Sequence, residues 1–182
     1  MKKFITSTLA SLALLTPTAA LAEINNYEDH IKLFEALQTV GVTININSKI
    51  HCDLKSSGGG SYHKNAVLLT ICQNNGVPGG EQVEWTTNDL DTLRHEAHHV
   101  VQDCAAGGIG DGKFVNLFDD EESFVEFLTK SSFTPNQIRN LIFTLVEQGL
   151  DSDDIYIEVE AYVVANDIDA GSIANKVLEF CS

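Results

Sequence analysis

Residues 87–107 read TNDLDTLRHEAHHVVQDCAAG, and this stretch predicts the helix around which the rest of the chain is organised. Thr87 and Asn88 are residue types that cap helix N-termini, and Gly107 and Gly108 end the helical pattern. The apolar residues between them recur at helical spacing: Leu90, Leu93, Ala97, Val100, Val101 and Cys104. A helix with this pattern is expected to bury its apolar side in the core.

The same helix carries His95, Glu96 and His99 in the order H-E-x-x-H. Positions four apart lie on one face of a helix, so both imidazoles can reach one metal ion with bonds of roughly 2.0 to 2.1 Å. Glu96 then lies beside the ion and can take a proton from a water whose pKa the metal has lowered to about 7. The pattern predicts a metal-dependent hydrolase site, with a His-rich surface helix as the alternative.

A catalytic zinc normally has a third protein ligand, and the sequence offers two carboxylates for that position. Both lie in the apolar stretch IYIEVEAYVV, residues 155–164, at Glu158 and Glu160. Helical spacing places each of them among apolar neighbours on its own side of the helix. The residues alone therefore leave Glu158 and Glu160 open as the third ligand.

Together, H-E-x-x-H and the later Glu158-Val159-Glu160-Ala161 resemble the gluzincin class of metallopeptidases, in which the third ligand is a glutamate on a second helix. The layout is also similar to small exported H-E-x-x-H proteins of cyanobacterial type. The resemblance implies a secreted peptidase with one Zn²⁺ per chain, in which His95, His99 and Glu158 are the ligands and Glu96 is the general base. Glu160 remains the alternative ligand.

This sequence departs from the gluzincin pattern at Tyr162, where an aspartate often stands four residues after the third ligand. A carboxylate behind the ligands would then come from elsewhere, and Asp103 and Asp167 are the candidates. The resemblance covers residues 92–104 and 155–166, so it implies a peptidase and no particular substrate.

A hydrolase of this kind needs a donor for the oxyanion that forms when the carbonyl is attacked. Tyr62, His63 and Tyr162 are the candidates, together with Tyr156. For each tyrosine the alternative is ordinary packing with its hydroxyl bonded elsewhere. His98 points away from the ligand face and is expected at the surface or behind the ligands.

The N-terminus has the features of a signal peptide. Lys2 and Lys3 precede an apolar run over residues 4–15, and Ala20-Leu21-Ala22 provides the small residues that signal peptidase requires. We therefore predict a signal peptide over residues 1–22, one metallopeptidase-like domain over residues 23–182, and export to the periplasm or the extracellular space. No later stretch approaches 18 apolar residues, so no membrane span is expected in the mature chain.

Charge excludes some partners. Eleven basic residues stand against 26 acidic ones, for a net charge of −15. No basic patch is present to hold a phosphate backbone, so nucleic acid is not expected as a partner. The expected partner is a peptide or protein substrate, and the competing hypothesis is a non-catalytic exported binding protein with a structural or vestigial zinc site. Oligomeric state is left open.

All four cysteines lie beyond the predicted signal peptide, which in an exported chain favours two disulfides. The pairs that we favour are Cys52–Cys72, closing a strand-loop-strand unit, and Cys104–Cys181, tying the C-terminus to the end of the motif helix. Four free buried thiols are the alternative.

The remaining patterns predict an α+β fold, with a small antiparallel or mixed sheet near the N-terminus packed on a mostly helical C-terminal part that contains the H-E-x-x-H helix. Two strands, at 42–50 and 62–72, are expected to form a hairpin-like pair around an irregular Gly-rich loop at 56–61. Helices are predicted at 27–40, 119–130, 135–148, 152–166 and 173–180, with Thr134, Ser152 or Asp153, and Ser172 as caps of the last three.

Overall fold

The computed structural model describes residues 26–52 and 59–182. The predicted signal peptide, residues 1–22, lies outside the described residues, as does the first half of the predicted Gly-rich loop. Within the described ranges the chain folds as α+β, with a three-stranded mixed sheet near the N-terminus and six α-helices, so the predicted fold class is confirmed.

The helices and strands follow one another in a simple order along the chain. They are α1 (Tyr27–Thr39), β1 (Thr43–Ile46), β2 (Gly59–His63), β3 (Leu68–Cys72), α2 (Thr87–Ala105), α3 (Glu121–Lys130), α4 (Pro135–Glu147), α5 (Ser152–Asp167) and α6 (Ala170–Phe180). The strands therefore precede all helices but the first.

The two predicted strand regions do pair, but not as the predicted hairpin. The sheet has the order β1-β3-β2, in which β1 runs parallel to β3 and β2 runs antiparallel to it. Residues 62–72 do not form one strand, because a 3₁₀ turn at Lys64–Ala66 and a left-handed Val67 (φ 48°) reverse the chain between β2 and β3. Gly59 and Gly60, predicted to be loop, are the first residues of β2. The hairpin is therefore formed by β2 and β3, and β1 pairs with the opposite edge of β3.

Helix α2 is central to the fold. It packs against α5, α6, β2 and β3, and Leu93, Ala97, Val100 and Val101 are fully buried. Polar residues of this helix are buried as well, because neighbours cover it on nearly every side. The motif helix is therefore a core helix, which contradicts the alternative of a His-rich surface helix.

Helix caps account for the small errors in the predicted boundaries. Thr86 caps α2 by accepting a hydrogen bond from the N–H of Asp89, so the cap precedes the predicted one. Asp151 and Asp169 cap α5 and α6, where Ser152 or Asp153 and Ser172 were predicted. In both cases an aspartate just before the predicted cap accepts the first-turn N–H groups. Thr134 caps α4 as predicted.

Both predicted disulfides are present. Cys52–Cys72 joins the segment after β1 to the end of β3, and Cys104–Cys181 joins the last turn of α2 to the residue that follows α6. In the part of the chain that the structure describes, no helix combines the length and apolar character that crossing a membrane requires.

Candidate metal centre

Three side chains from α2 and α5 converge on one point. His95 and His99 lie one turn apart on α2, and Glu158 faces them from α5, which packs against that side of the motif helix. The two Nε2 atoms are 3.1 Å apart, and the carboxylate oxygens of Glu158 lie 3.3 Å from His95 Nε2 and 3.5 Å from His99 Nε2. One ligand atom from each residue lies within 4.8 Å of the other two, so the group could hold a metal ion.

The spacing of these donor atoms is close to that found between the ligands of a tetrahedral metal. With metal–ligand bonds of about 2.0 to 2.1 Å, the edge of a tetrahedron is about 3.3 to 3.4 Å. The 3.1 Å separation of the two Nε2 atoms is close to that edge, and the separations of 3.3 and 3.5 Å join these nitrogens to different oxygens of Glu158, Oε2 for His95 and Oε1 for His99. Two imidazoles and one carboxylate are also the donor set of an open site, in which three protein ligands leave one position for solvent or substrate.

Glu96 lies beside this group and is not part of it. Its side chain is buried, and the nearby backbone of Tyr62 on β2 slightly favours the charged form of its carboxylate. Burial raises the pKa of Glu96, and the nearby charge of Glu158 adds to this, while His95 and His99 act in the opposite direction. A carboxylate with a raised pKa is suited to accepting and returning a proton.

The charges of the three converging side chains depend on one another. Burial alone would raise the pKa of Glu158, but its hydrogen bonds with His95 and His99 outweigh burial and hold that pKa far below the usual range. Burial would lower the pKa of His99, yet contact with Glu158 and the charge of Glu96 raise it. A bound cation would take the place of the protons that otherwise balance these carboxylates.

Glu160, the alternative third ligand, faces another part of the core. Its carboxylate contacts Nε2 of His98 at 2.7 Å and accepts the backbone N–H of Leu117 at 3.0 Å. Both side chains of the His98–Glu160 pair are fully buried, so of the two expected places for His98, at the surface or behind the ligands, the surface is wrong. Burial lowers the pKa of His98, because the charged imidazolium is disfavoured there.

The three proposed oxyanion donors lie in different surroundings. The hydroxyl of Tyr62 donates to Asp103 at 2.7 Å, and burial followed by that bond raises its pKa strongly. His63 is exposed and packs against the ring of His51. Only Tyr162 presents its ring beside the ligands, with a centroid 4.5 Å from that of His95. Tyr156, the fourth candidate, packs against Phe124 instead.

The residues behind the ligands differ from the predicted ones. Asp103 binds Tyr62 and the N–H of Gly110, and Asp167 binds Ser132; neither carboxylate bonds to a ligand histidine. The side chain that does is Gln102, whose Oε1 lies 2.8 Å from Nδ1 of His99. Sequence reasoning missed Gln102, although its place three residues after His99 was a signal that the two side chains could meet.

A cleft of about 560 Å³ opens onto the converging side chains. Its floor is α2, one wall is β2, and Tyr162 belongs to the opposite side. Phe114, in the loop after α2, stacks on His99 with ring centroids 5.3 Å apart. The cleft has the volume of a small-ligand or peptide-side-chain site.

Comparison of this chain with models of known protein families, with curated proteins and with solved structures finds no match.

Proposed function

We propose that this chain is an exported zinc metallopeptidase in which Glu96 is the general base. The observation that carries the proposal is the convergence of His95, His99 and Glu158 beside the buried Glu96, at the floor of an open cleft. The resemblance of the H-E-x-x-H and E-V-E-A segments to gluzincins supports the same class.

Zinc is the proposed metal because imidazole nitrogens with one carboxylate oxygen are a common zinc donor set, whereas magnesium and calcium favour oxygen ligands alone. When bound, zinc supplies a Lewis acid that polarises a carbonyl and lowers the pKa of a coordinated water to about 7. His95, His99 and Glu158 would hold it, one ion per chain.

Glu96 has the surroundings that proton transfer requires. Its buried carboxylate would accept the proton of the attacking water and deliver it to the departing amine. A purely structural metal site has no need of a buried carboxylate next to its ligands, so Glu96 favours catalysis over the non-catalytic alternative.

Tyr162 is the proposed oxyanion donor. Burial raises the pKa of its hydroxyl, and the negative charges of Glu158 and Glu96 raise it further, so the hydroxyl keeps its proton at neutral pH. It can then donate a hydrogen bond to the oxygen that gains charge as the carbonyl is attacked.

The edge of the sheet supports a peptide as the substrate. β2 lies at the end of the strand order β1-β3-β2, so among the described residues no strand pairs with its outer edge. An extended peptide in the cleft could pair with this edge of β2. The two disulfides are compatible with the oxidising compartment that export would provide.

The test is Glu96→Gln in the chain exported to an oxidising compartment and purified without chelator, assayed on a mixed peptide library beside zinc analysis. We expect about one zinc per chain in both proteins, and a loss of hydrolysis of about 10²- to 10⁴-fold in the variant. Glu179→Gln, at an exposed position on α6, is the matched control and should cleave normally. Full hydrolysis by Glu96→Gln would contradict the assignment, and a zinc-loaded wild-type chain that cleaves nothing would favour the binding-protein alternative.

A further inference from the structure

The side chain of Gln102 bridges the two helices that supply the metal ligands. It is fully buried on α2. Its Oε1 lies 2.8 Å from Nδ1 of His99, and its Nε2 donates to the backbone carbonyl of Ile157 at 3.1 Å. Ile157 immediately precedes Glu158 on α5, so one amide contacts a ligand histidine and the backbone next to the ligand carboxylate.

The carbonyl of Ile157 determines which way this amide points. A carbonyl oxygen can only accept a hydrogen bond, so the NH₂ group of Gln102 must face Ile157 and its oxygen must face His99. An amide oxygen also only accepts, so Nδ1 of His99 must carry the proton. In the neutral ring the lone pair then lies on Nε2, the atom that faces His95 and Glu158.

We propose that Gln102 is a positioning residue that fixes His99 as the Nδ1–H tautomer, ready to bind a metal through Nε2, and that ties the helix of Glu158 to the same point. The proposal rests on the metal centre of the proposed function. A glutamate would supply the acceptor for His99 but would set a carboxylate against the Ile157 carbonyl, so only an amide satisfies both contacts.

His95 has no equivalent partner. Among the described residues its Nδ1 is buried without a hydrogen-bond partner, although its Nε2 faces the same point as that of His99. The protein therefore fixes the tautomer of His99, whereas the tautomer of His95 would be set by the metal or by solvent.

Gln102 also fixes the loop that covers this ligand. Its backbone carbonyl accepts the N–H of Val115, next to Phe114, whose ring stacks on His99. The imidazole of His99 is thus held at Nδ1 by the Gln102 amide and on one face by Phe114.

The first measurement is the ¹⁵N NMR spectrum of the imidazoles in the metal-free chain, at a pH high enough for them to be neutral. We expect His99 to carry its proton on Nδ1 in the wild type and to lose that preference in Gln102→Met, which keeps the length of the side chain and removes the amide. A proton on Nε2 of wild-type His99 would overturn the proposal without reference to any metal.

The second measurement is zinc affinity by competition with a chelator. Gln102→Met should weaken zinc binding by about 10- to 100-fold, as loss of a hydrogen-bond partner behind a ligand usually does. Gln102→Glu, which keeps the acceptor for His99, should bind zinc more tightly than Gln102→Met. Gln73→Met is the matched control, because Gln73 is equally buried and bonded but lies away from the cleft, bridging Asn47 and Val83; it should lose stability and keep its zinc affinity.

The outcomes separate this proposal from the proposed function. Zinc binding in Gln102→Met as tight as in the wild type would overturn the role of Gln102. A wild-type chain that binds zinc but cleaves no peptide would end the peptidase proposal and leave Gln102 as a metal-site residue. A wild-type chain that binds no zinc would contradict the proposed metal centre. The role of Gln102 would then be decided by the His99 tautomer measurement alone.

Discussion

Two carboxylates of α5, only two residues apart, have different partners. Glu158 faces the ligand histidines, whereas Glu160 binds His98 and the Leu117 N–H. Positions two apart on a helix point to different sides, so the two side chains could not both reach the same point. The helix is buried around much of its surface, which is why its apolar pattern left the choice open.

We predict that Glu158→Gln lowers zinc content to well below one per chain, because an amide oxygen is a weaker ligand than a carboxylate. Glu160→Gln should keep its zinc and lose about 1 to 3 kcal/mol of unfolding free energy, since an amide offers one acceptor oxygen where the carboxylate offers two, one to His98 and one to the Leu117 N–H. Elemental analysis and urea denaturation of both variants check this. Zinc lost from Glu160→Gln alone would reverse the ligand assignment.

Gly60 is where β2 passes over the motif helix. A Cβ at this position would lie 2.7 Å from Cγ2 of Thr92, 2.9 Å from Cγ of Glu96 and 2.9 Å from the backbone oxygen of Thr70. The last contact is with the sheet itself and cannot yield easily. Only glycine allows the strand to lie this close to Glu96.

Gly60→Ala should therefore cost about 1 to 3 kcal/mol of unfolding free energy through overpacking, and it should reduce hydrolysis because Glu96 is displaced. Gly59→Ala is the control, since a Cβ there meets nothing within 4 Å. Urea denaturation and peptide assays on both variants make the comparison. If the two variants are equally stable, the close approach of β2 does not constrain this position.

At the scale of elements, the sequence predicts the helices well and the sheet poorly. Helices α1, α2 and α4 follow from apolar spacing and from caps such as Thr134, because both signals are local. The arrangement of the sheet depends on the 3₁₀ turn between β2 and β3 and on the close approach of β2 to α2 at Gly60. Alternation of polar and apolar residues predicts neither feature.

The candidate site likewise contains residues whose positions follow from the sequence and residues whose positions depend on packing. His95, Glu96 and His99 lie on one helix, so their relative positions follow from helical geometry. Glu158 and Gln102 take their roles from the packing of α5 on α2, which no spacing along the chain can give.

The disulfides join elements at very different distances along the chain, 20 residues for Cys52–Cys72 and 77 for Cys104–Cys181. Constraint of the unfolded chain then predicts stabilisation of about 3 and about 4.5 kcal/mol. Replacing Cys104 and Cys181 together by alanine should cost about 1 kcal/mol more unfolding free energy than replacing the other pair. Urea denaturation of the two double variants measures this, and a larger loss from the Cys52 and Cys72 pair would contradict it.

At the scale of the whole molecule, the fold buries a neutral histidine where helices meet. His30 of α1 is bonded through Nδ1 to the carbonyl of Asn26 and contacts Arg94 of α2 through Nε2, both at 2.8 Å. Burial lowers the pKa of His30, and the positive charge of Arg94 acts in the same direction, against the Asn26 carbonyl and the nearby carboxylates of Asp91 and Asp29.

Because the folded pKa of His30 lies below the unfolded value of about 6.5, the unfolded chain takes up a proton more readily. The contribution of His30 to the unfolding free energy is therefore complete above about pH 6.5 and is lost as the pH falls toward the folded pKa. We predict that the unfolding free energy of the wild type falls more steeply with acidification than that of His30→Gln, measured by urea denaturation across this range. His63→Gln, at an exposed position, controls for the loss of an imidazole, and identical slopes for the wild type and His30→Gln would contradict the prediction.

Helices α1 and α6 are the first and last in the described chain, and they pack against each other. Leu33 and Leu37 of α1 share one core cluster with Ile173 and Val177 of α6. Contacts between such distant segments form late in folding, because nearly the whole intervening chain must be ordered or looped out first. During synthesis the apolar face of α1 stays uncovered until α6 has been made. A chain that ends before residue 170 would therefore expose this face to water and tend to aggregate.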